Sequence, residues 1–244
     1  TRNGGLYVIE ATDLTIAATL PPPESPMGVD LRGVGNGGEG ALSLIVKTGN
    51  LKVEGAVRST ATGIDSGNLL LQTLAGNIDI EADITSDVGS ISVLSSGDVR
   101  LGATQSGIQL TALTEGKTTE IVAGQDVIMG VDSGVVTNNG ALSVLAGRDI
   151  TVGVLDAGVV SEGGTEQRAV SLNAVRNIID ADANTGTQKV NVKSGNVSLK
   201  AGGYIGTAAN VIELSVANLA SASGASGVFL SETNGLTIGN LSNV

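Results

Sequence analysis

The chain contains no cysteine, no histidine and no tryptophan, and its aromatic side chains are one Phe and two Tyr among 244 residues. Without Cys there is no disulfide frame and no thiol chemistry, which is compatible with either redox compartment. Without His the commonest general base and the commonest transition-metal ligand are missing. Large rings are major packing units of ordinary cores, so this core has to be narrow and filled by Val, Ile, Leu and Ala. No apolar run of 18 residues and no signal peptide are visible in the sequence. With 13 basic against 24 acidic residues the net charge is −11, which repels nucleic acid and anionic membrane surfaces. Neither nucleic-acid binding nor membrane insertion is expected.

Gly, by contrast, is abundant, at 36 residues, while Pro numbers only 4. Hydrophobic residues make up 41%, charged residues 15%, and the mean hydropathy is +0.27. This is not a disordered composition, and there is no collagen period, so the glycines mark many turns. A unit emerges when the chain is aligned on Gly-Asn or Gly-Asp: ALSLIVKTGNLKVEGA (41–56), LLLQTLAGNIDIEA (69–82), SISVLSSGDVRLGA (90–103), TEIVAGQDVIMG (119–130), ALSVLAGRDITVG (141–153), AVSLNAVRNIIDA (169–181), KVNVKSGNVSLKAG (189–202) and GVFLSETNGLTIG (227–239). Each reads as a short strand, a bend of small residues, Asn or Asp, and a second short strand.

Seven markers, Asn50, Asn77, Asp98, Asp126, Asp149, Asn177 and Asn196, are spaced 27, 21, 28, 23, 28 and 19 apart, within the range of structural repeats. Apolar positions such as Ile78, Ile80, Ala82 and Ile84 recur with period two, which selects strands over helices. Asn-Gly hairpin turns do not punctuate every strand pair, as an antiparallel sandwich would require. The expected fold is all-β: a right-handed parallel β-helix, or β-solenoid, of roughly ten turns with uncapped ends. At ~24 residues per turn and ~4.8 Å per rung the rod is about 50 Å long. The markers are expected to form the bends, with side chains laddered along the axis. The chain reads as one domain, 1–244, with a protruding loop at about 17–39 around PPPESP and a second variable loop at 155–167.

GNIDIEA, GDVRLGA, GRDITVG and GNVSLKAG resemble the β-helical repeats of filamentous haemagglutinin-like secreted adhesins and related giant bacterial surface proteins. Residues 203–239 are similar to a longer module recurrent in those proteins. The resemblance covers about residues 40–240. It implies a secreted or bacterial cell-surface protein with a structural or adhesive role, and it carries over no catalytic residues. Neither end reads as a cap, and the tail joined to the head gives a continuous solenoid. The expected partners are therefore further copies of the chain, end to end or laterally, and a host or neighbouring cell surface. A segment of a longer tandem protein is the plainer expectation.

An enzyme is the rival reading, because parallel β-helices also serve as polysaccharide lyases and hydrolases. The best local candidates are Arg176, Asp180 and Asp182 in RNIIDADAN, read more plainly as solvated outward charges at a strand end. Tyr7, Tyr204 and Phe229 are too few to build a sugar platform, and Phe229 reads as core. No cofactor is expected. Asp79, Asp83 and Asp87, with Glu81 between them, are candidates for a weak calcium site. The calcium-binding repeat itself is absent, since GNGGEGALSL (35–44) carries Leu42 where the ligand Asp belongs. Asn196-Val197-Ser198 and Asn240-Leu241-Ser242 match the glycosylation sequon by chance.

Overall fold

A computed structural model describes residues 5–18, 40–60, 66–158, 169–182 and 189–239. Most of the protruding loop at 17–39 and most of the loop at 155–167 lie outside these residues, as does Asn240. Among the described residues there is no helix, and every recorded strand pairing is parallel. The fold is a parallel β-helix.

Each full turn of the coil has three strands. A five-residue strand on the first face, such as Leu69–Thr73, leads through a tight corner into a three-residue strand on the second, Ile78–Ile80, and a third-face strand, Ile84–Ser86, completes the turn. The next turn repeats this with Ile91–Ser95, Val99–Leu101 and Gln109–Ala112. Successive first-face strands pair in register: Leu44 with Leu71, Leu71 with Val93, Val93 with Ile121. The second face stacks nine strands from Leu14–Ile16 to Gly227–Val228. The first and third faces merge into one sixteen-stranded sheet. They merge because two long strands, Val192–Ala201 and Ile212–Gly224, run around the corner between them without a break. The expected unit of strand, bend and strand thus captured two faces of three. The third lies in segments that read as loops between units, including TSDVG at 85–89, whose first residues belong to the strand Ile84–Ser86.

Period-two alternation assigns the inward positions. Leu51, Ile78, Val99, Val127, Ile150, Ile178 and Ile205 form one stack on the second face, all with 0% exposure. Val, Ile and Leu fit because facing walls are close, and their β-branched or short side chains suit a pleated surface. Phe229 is not core: it is 38% exposed, near the last rung. The inward positions that end a face carry small polar groups instead. Ser86 Oγ donates to the Gly67 carbonyl and Thr137 Oγ1 to that of Gly140, satisfying backbone exposed by the bend.

Candidate functional site

Two polar constructions stand out from the aliphatic coil. The first is the corner between the first and second faces. There the strand carbonyls remain in the ladder: the Leu51 N–H donates to the Asn77 carbonyl and the Ile78 N–H to that of Asp98. The N–H of the corner residue itself has no carbonyl opposite it. A side-chain oxygen from the preceding rung takes that place. The Asn77 N–H donates to Asn50 Oδ1 (2.9 Å), Asp98 to Asn77 (2.8 Å), Asp126 to Asp98 (3.0 Å), Asp149 to Asp126 (3.0 Å) and Asn177 to Asp149 (2.9 Å). A short side chain with an acceptor two bonds beyond Cβ is required, which is why only Asn and Asp supply the acceptor at these positions.

The column extends beyond the markers read from the sequence. It starts at Asp13, whose Oδ1 accepts from the Asn50 N–H (2.6 Å), and ends at Tyr204, whose N–H donates to Asn177 Oδ1 (3.1 Å). Six of the seven markers stand in this column. Asn196 does not. It lies within the strand Val192–Ala201, opposite Ala169 and Asn218, and its Oδ1 accepts from Asn218 Nδ2 (3.0 Å). The glycines before the markers are needed because the rungs nearly touch. A Cβ on Gly76, at φ +155°, would sit 1.8 Å from the Gly49 carbonyl oxygen, and one on Gly97 would sit 2.3 Å from Asn77 Oδ1.

Where the column carries Asp instead of Asn, arginines border it. Arg100 reaches Asp98 (2.5 Å) and Asp79 (3.0 Å), Arg148 reaches Asp126 (2.5 Å) and Asp98 (3.3 Å), and Arg176 reaches Asp149 (2.9 Å). Three stacked carboxylates would repel one another, and these guanidiniums offset that charge. Arg176 is therefore committed to the ladder and does not join Asp180 and Asp182. The calcium candidates are likewise dispersed. Asp79 faces Arg100, Asp83 Oδ1 accepts from the Gln109 N–H, and Asp87 pairs with Arg58 (3.0 Å). Glu81 is buried and accepts from the N–H groups of Thr104 and Gln105.

The second construction lies where the coil passes from the second to the third face, near its C-terminal end. Asp180 is not a solvated charge: it is only 5% exposed. It occupies the register position of Val152, continuing the inward stack of Val53, Ile80, Leu101, Met129 and Val152. Its Oδ1 accepts from the Asp182 N–H (3.0 Å) and from Asn191 Nδ2 (2.7 Å). Asn191, itself buried, accepts the Glu213 N–H on Oδ1 (2.9 Å), so it joins the two acids through its two ends. Asn210 Nδ2 donates to the Asp180 carbonyl (3.3 Å).

Glu213 is 4% exposed, between Ile212 and Leu214 at 0%. By alternation it would face solvent. It is covered because Ala208, Ala209, Val211, Ser231 and Thr233 close around it as the wall of a cleft of about 360 Å³. Burial pushes both carboxyl groups above the ordinary carboxylate range. Mutual repulsion adds to the effect on Glu213, while the bonds from Asp182 and Asn191 moderate it at Asp180. Among the described residues no three side chains of Asp, Glu, His or Cys converge as a metal cluster. No helix there is long and apolar enough to cross a membrane. No protein-family model, curated protein or solved structure matches the chain.

Proposed function

We propose that this chain is a rod-forming segment of a secreted or surface-attached bacterial fibre or adhesin, with a mechanical rather than catalytic role. One observation carries the reading. Among the described residues, Leu6–Glu10 and Leu14–Ile16 are hydrogen-bonded along one edge only, to Leu42–Val46 and Leu51–Val53. A further rung, from a longer chain or a second copy, would extend the stack with the same in-register bonds. The likeness of the repeats to filamentous haemagglutinin-like adhesins agrees with this, as does an acidic surface that keeps rods soluble. The nine rungs set by the second face span about 43 Å at ~4.8 Å each.

Electron microscopy and light scattering across a concentration series test it. Particles that lengthen in multiples of the single rod support end-to-end extension. Strictly monomeric rods of a single length at every concentration, together with no filament in preparations of the parent protein, refute it. The carbohydrate-active reading keeps one supporting observation, the raised carboxyl group of Glu213 in the wall of a cleft. Depolymerisation of an acidic polysaccharide that is lost in Asp180→Asn would favour it over the mechanical role.

A further inference from the structure

Four buried side-chain oxygens at the second-to-third-face corner lack any donor: Asp180 Oδ2, Glu213 Oε1, Glu213 Oε2 and Asn210 Oδ1. Their residues belong to one connected group. Asn191 bonds to Asp180 and to the backbone of Glu213, and Asn210 bonds to the backbone of Asp180. The arginine and lysine pairs of the rod go to other carboxylates: Arg148 and Arg176 to the marker column, Lys193 to Asp156 (3.0 Å) along the third face, and Lys189, two residues before Asn191, to Asp132. Leaving a carboxylate buried without a counter-charge or donor is costly. Among the described residues the other buried side-chain oxygens without a partner, Ser59 Oγ, Gln109 Oε1 and Thr119 Oγ1, are all neutral. Glu81, equally buried, has backbone donors for both of its oxygens. The corner differs in holding acceptors in excess, since the donors from Asp182 and Asn191 reach only Asp180 Oδ1.

We propose that this corner binds one hard divalent cation, of the calcium class, between Asp180, Glu213 and the Asn210 amide oxygen. Oxygen-only donors suit such an ion, and two carboxylates match its charge. Four protein oxygens leave room in its coordination sphere for water. The cleft lined by Ala208, Ala209, Val211, Ser231 and Thr233 leads to Glu213 and supplies both the water and the entry path. The site is independent of the fibre reading. It is also distinct from Asp79, Asp83 and Asp87, whose carboxylates already have partners.

The test is calcium titration by calorimetry at pH 7.5 in about 0.15 M NaCl, which screens the acidic surface, on the whole chain and on Glu213→Gln, Asp180→Asn and Asp79→Asn. The expected result is a single saturable site in the wild type, retained in Asp79→Asn and weakened at least about tenfold in the other two. Thermal melts supply a signed second readout. Without calcium Glu213→Gln melts above the wild type, because an unpaired buried charge is gone. With calcium the wild type rises and this variant does not. If Asp180→Asn does not fold, Glu213→Gln alone decides the matter. No saturable uptake in the wild type up to about 5 mM calcium, or unchanged uptake in Glu213→Gln, overturns the proposal. The corner would then be satisfied by protons alone.

Discussion

Asn77 offers the sharpest test of the corner ladder. Its Oδ1 accepts the Asp98 N–H at 2.8 Å, and Asp98 is 8% exposed, so water cannot readily replace the lost acceptor. Asn77→Ala leaves that N–H unsatisfied, at a cost of about 2 kcal/mol. Global melting should fall by about 4–8 °C if the rod unfolds as one unit. A repeat coil can also open locally, so the more direct assay is native-state hydrogen exchange, where the Asp98 amide should lose about 30-fold in protection. Asn77→Asp keeps the acceptor and should preserve most of that protection, with Arg100 already beside the column. Gly97 provides the cross-check. A Cβ there would lie 2.3 Å from Asn77 Oδ1 and 2.8 Å from the Gly76 carbonyl, so Gly97→Ala pushes the same oxygen off the same N–H. The two substitutions should therefore be less costly together than their sum, by about 1 kcal/mol in a double-mutant cycle. Strict additivity, or an Asp98 amide that exchanges at the same rate in Asn77→Ala, would refute the view that side-chain acceptors close this corner.

Arg148→Ala removes the partner of Asp126 and Asp98. Arg148 is 40% exposed, so solvent screening holds the loss to at most about 1 kcal/mol, and the difference from wild type should shrink in 1 M salt melts. Ile121→Ala hollows the middle of the first-face stack at a 0% exposed position and should cost about 2–5 kcal/mol in urea unfolding. The pH profile follows from the raised carboxyl groups of Asp180 and Glu213, in a corner that also holds Asp182. An acid whose folded pKa is raised contributes stability that is complete below its ordinary value, 4.5 for Glu213. That stability is lost as pH rises through the folded value. Calcium-free wild type should therefore lose stability relative to Glu213→Gln as pH rises above 4.5, as followed by thermal melts in EDTA. A constant difference between the two at all pH values would contradict the assignment.

The coil itself was legible from local pattern, because a parallel stack repeats the same alternation on every rung and small aliphatics were the only fillers available. Its third face was not. Val57–Ser59 and Ile84–Ser86 are three residues long and, as isolated sequence, look like linkers. Asp13 stands in a bend of the same kind, EATDLTI, without a Gly in the two positions before it, whereas Gly195 gives Asn196 the look of a marker inside a continuous strand. The real successor to Asn177 is Tyr204, 27 residues on (204 − 177), which matches the other intervals better than the 19 that led to Asn196. Asp180 was visible in principle. The third residue after each marker is Val53, Ile80, Leu101, Met129 and Val152, and then Asp180, so a carboxylate falls at a position the pattern reserves for aliphatics. Glu213 gave no such signal. Its own strand places it outward, and it is buried by Ala208, Ala209, Ser231 and Thr233 from flanking segments.

The two polar constructions divide the rod. From Asp13 to Asn177 every first corner is closed by a side-chain acceptor on the preceding rung, and Tyr204, which has no acceptor near Cβ, ends that series. The same rungs change their build. Val192–Ala201 and Ile212–Gly224 run straight through the third-to-first-face corner, and their pairing slips between Val197 and Ser198. The regular ladder thus gives out at the level where the inward stack admits Asp180 and where Glu213 closes the cleft. A uniform coil resists opening equally along its length. This one has its unpartnered carboxylate oxygens where the corner series comes to its end, so whatever neutralises them acts on the C-terminal rungs first. Amides of Ile212–Leu214 should respond to pH and calcium while those of Leu69–Thr73 stay unchanged. A uniform response along both segments would mean that the rod has no such division.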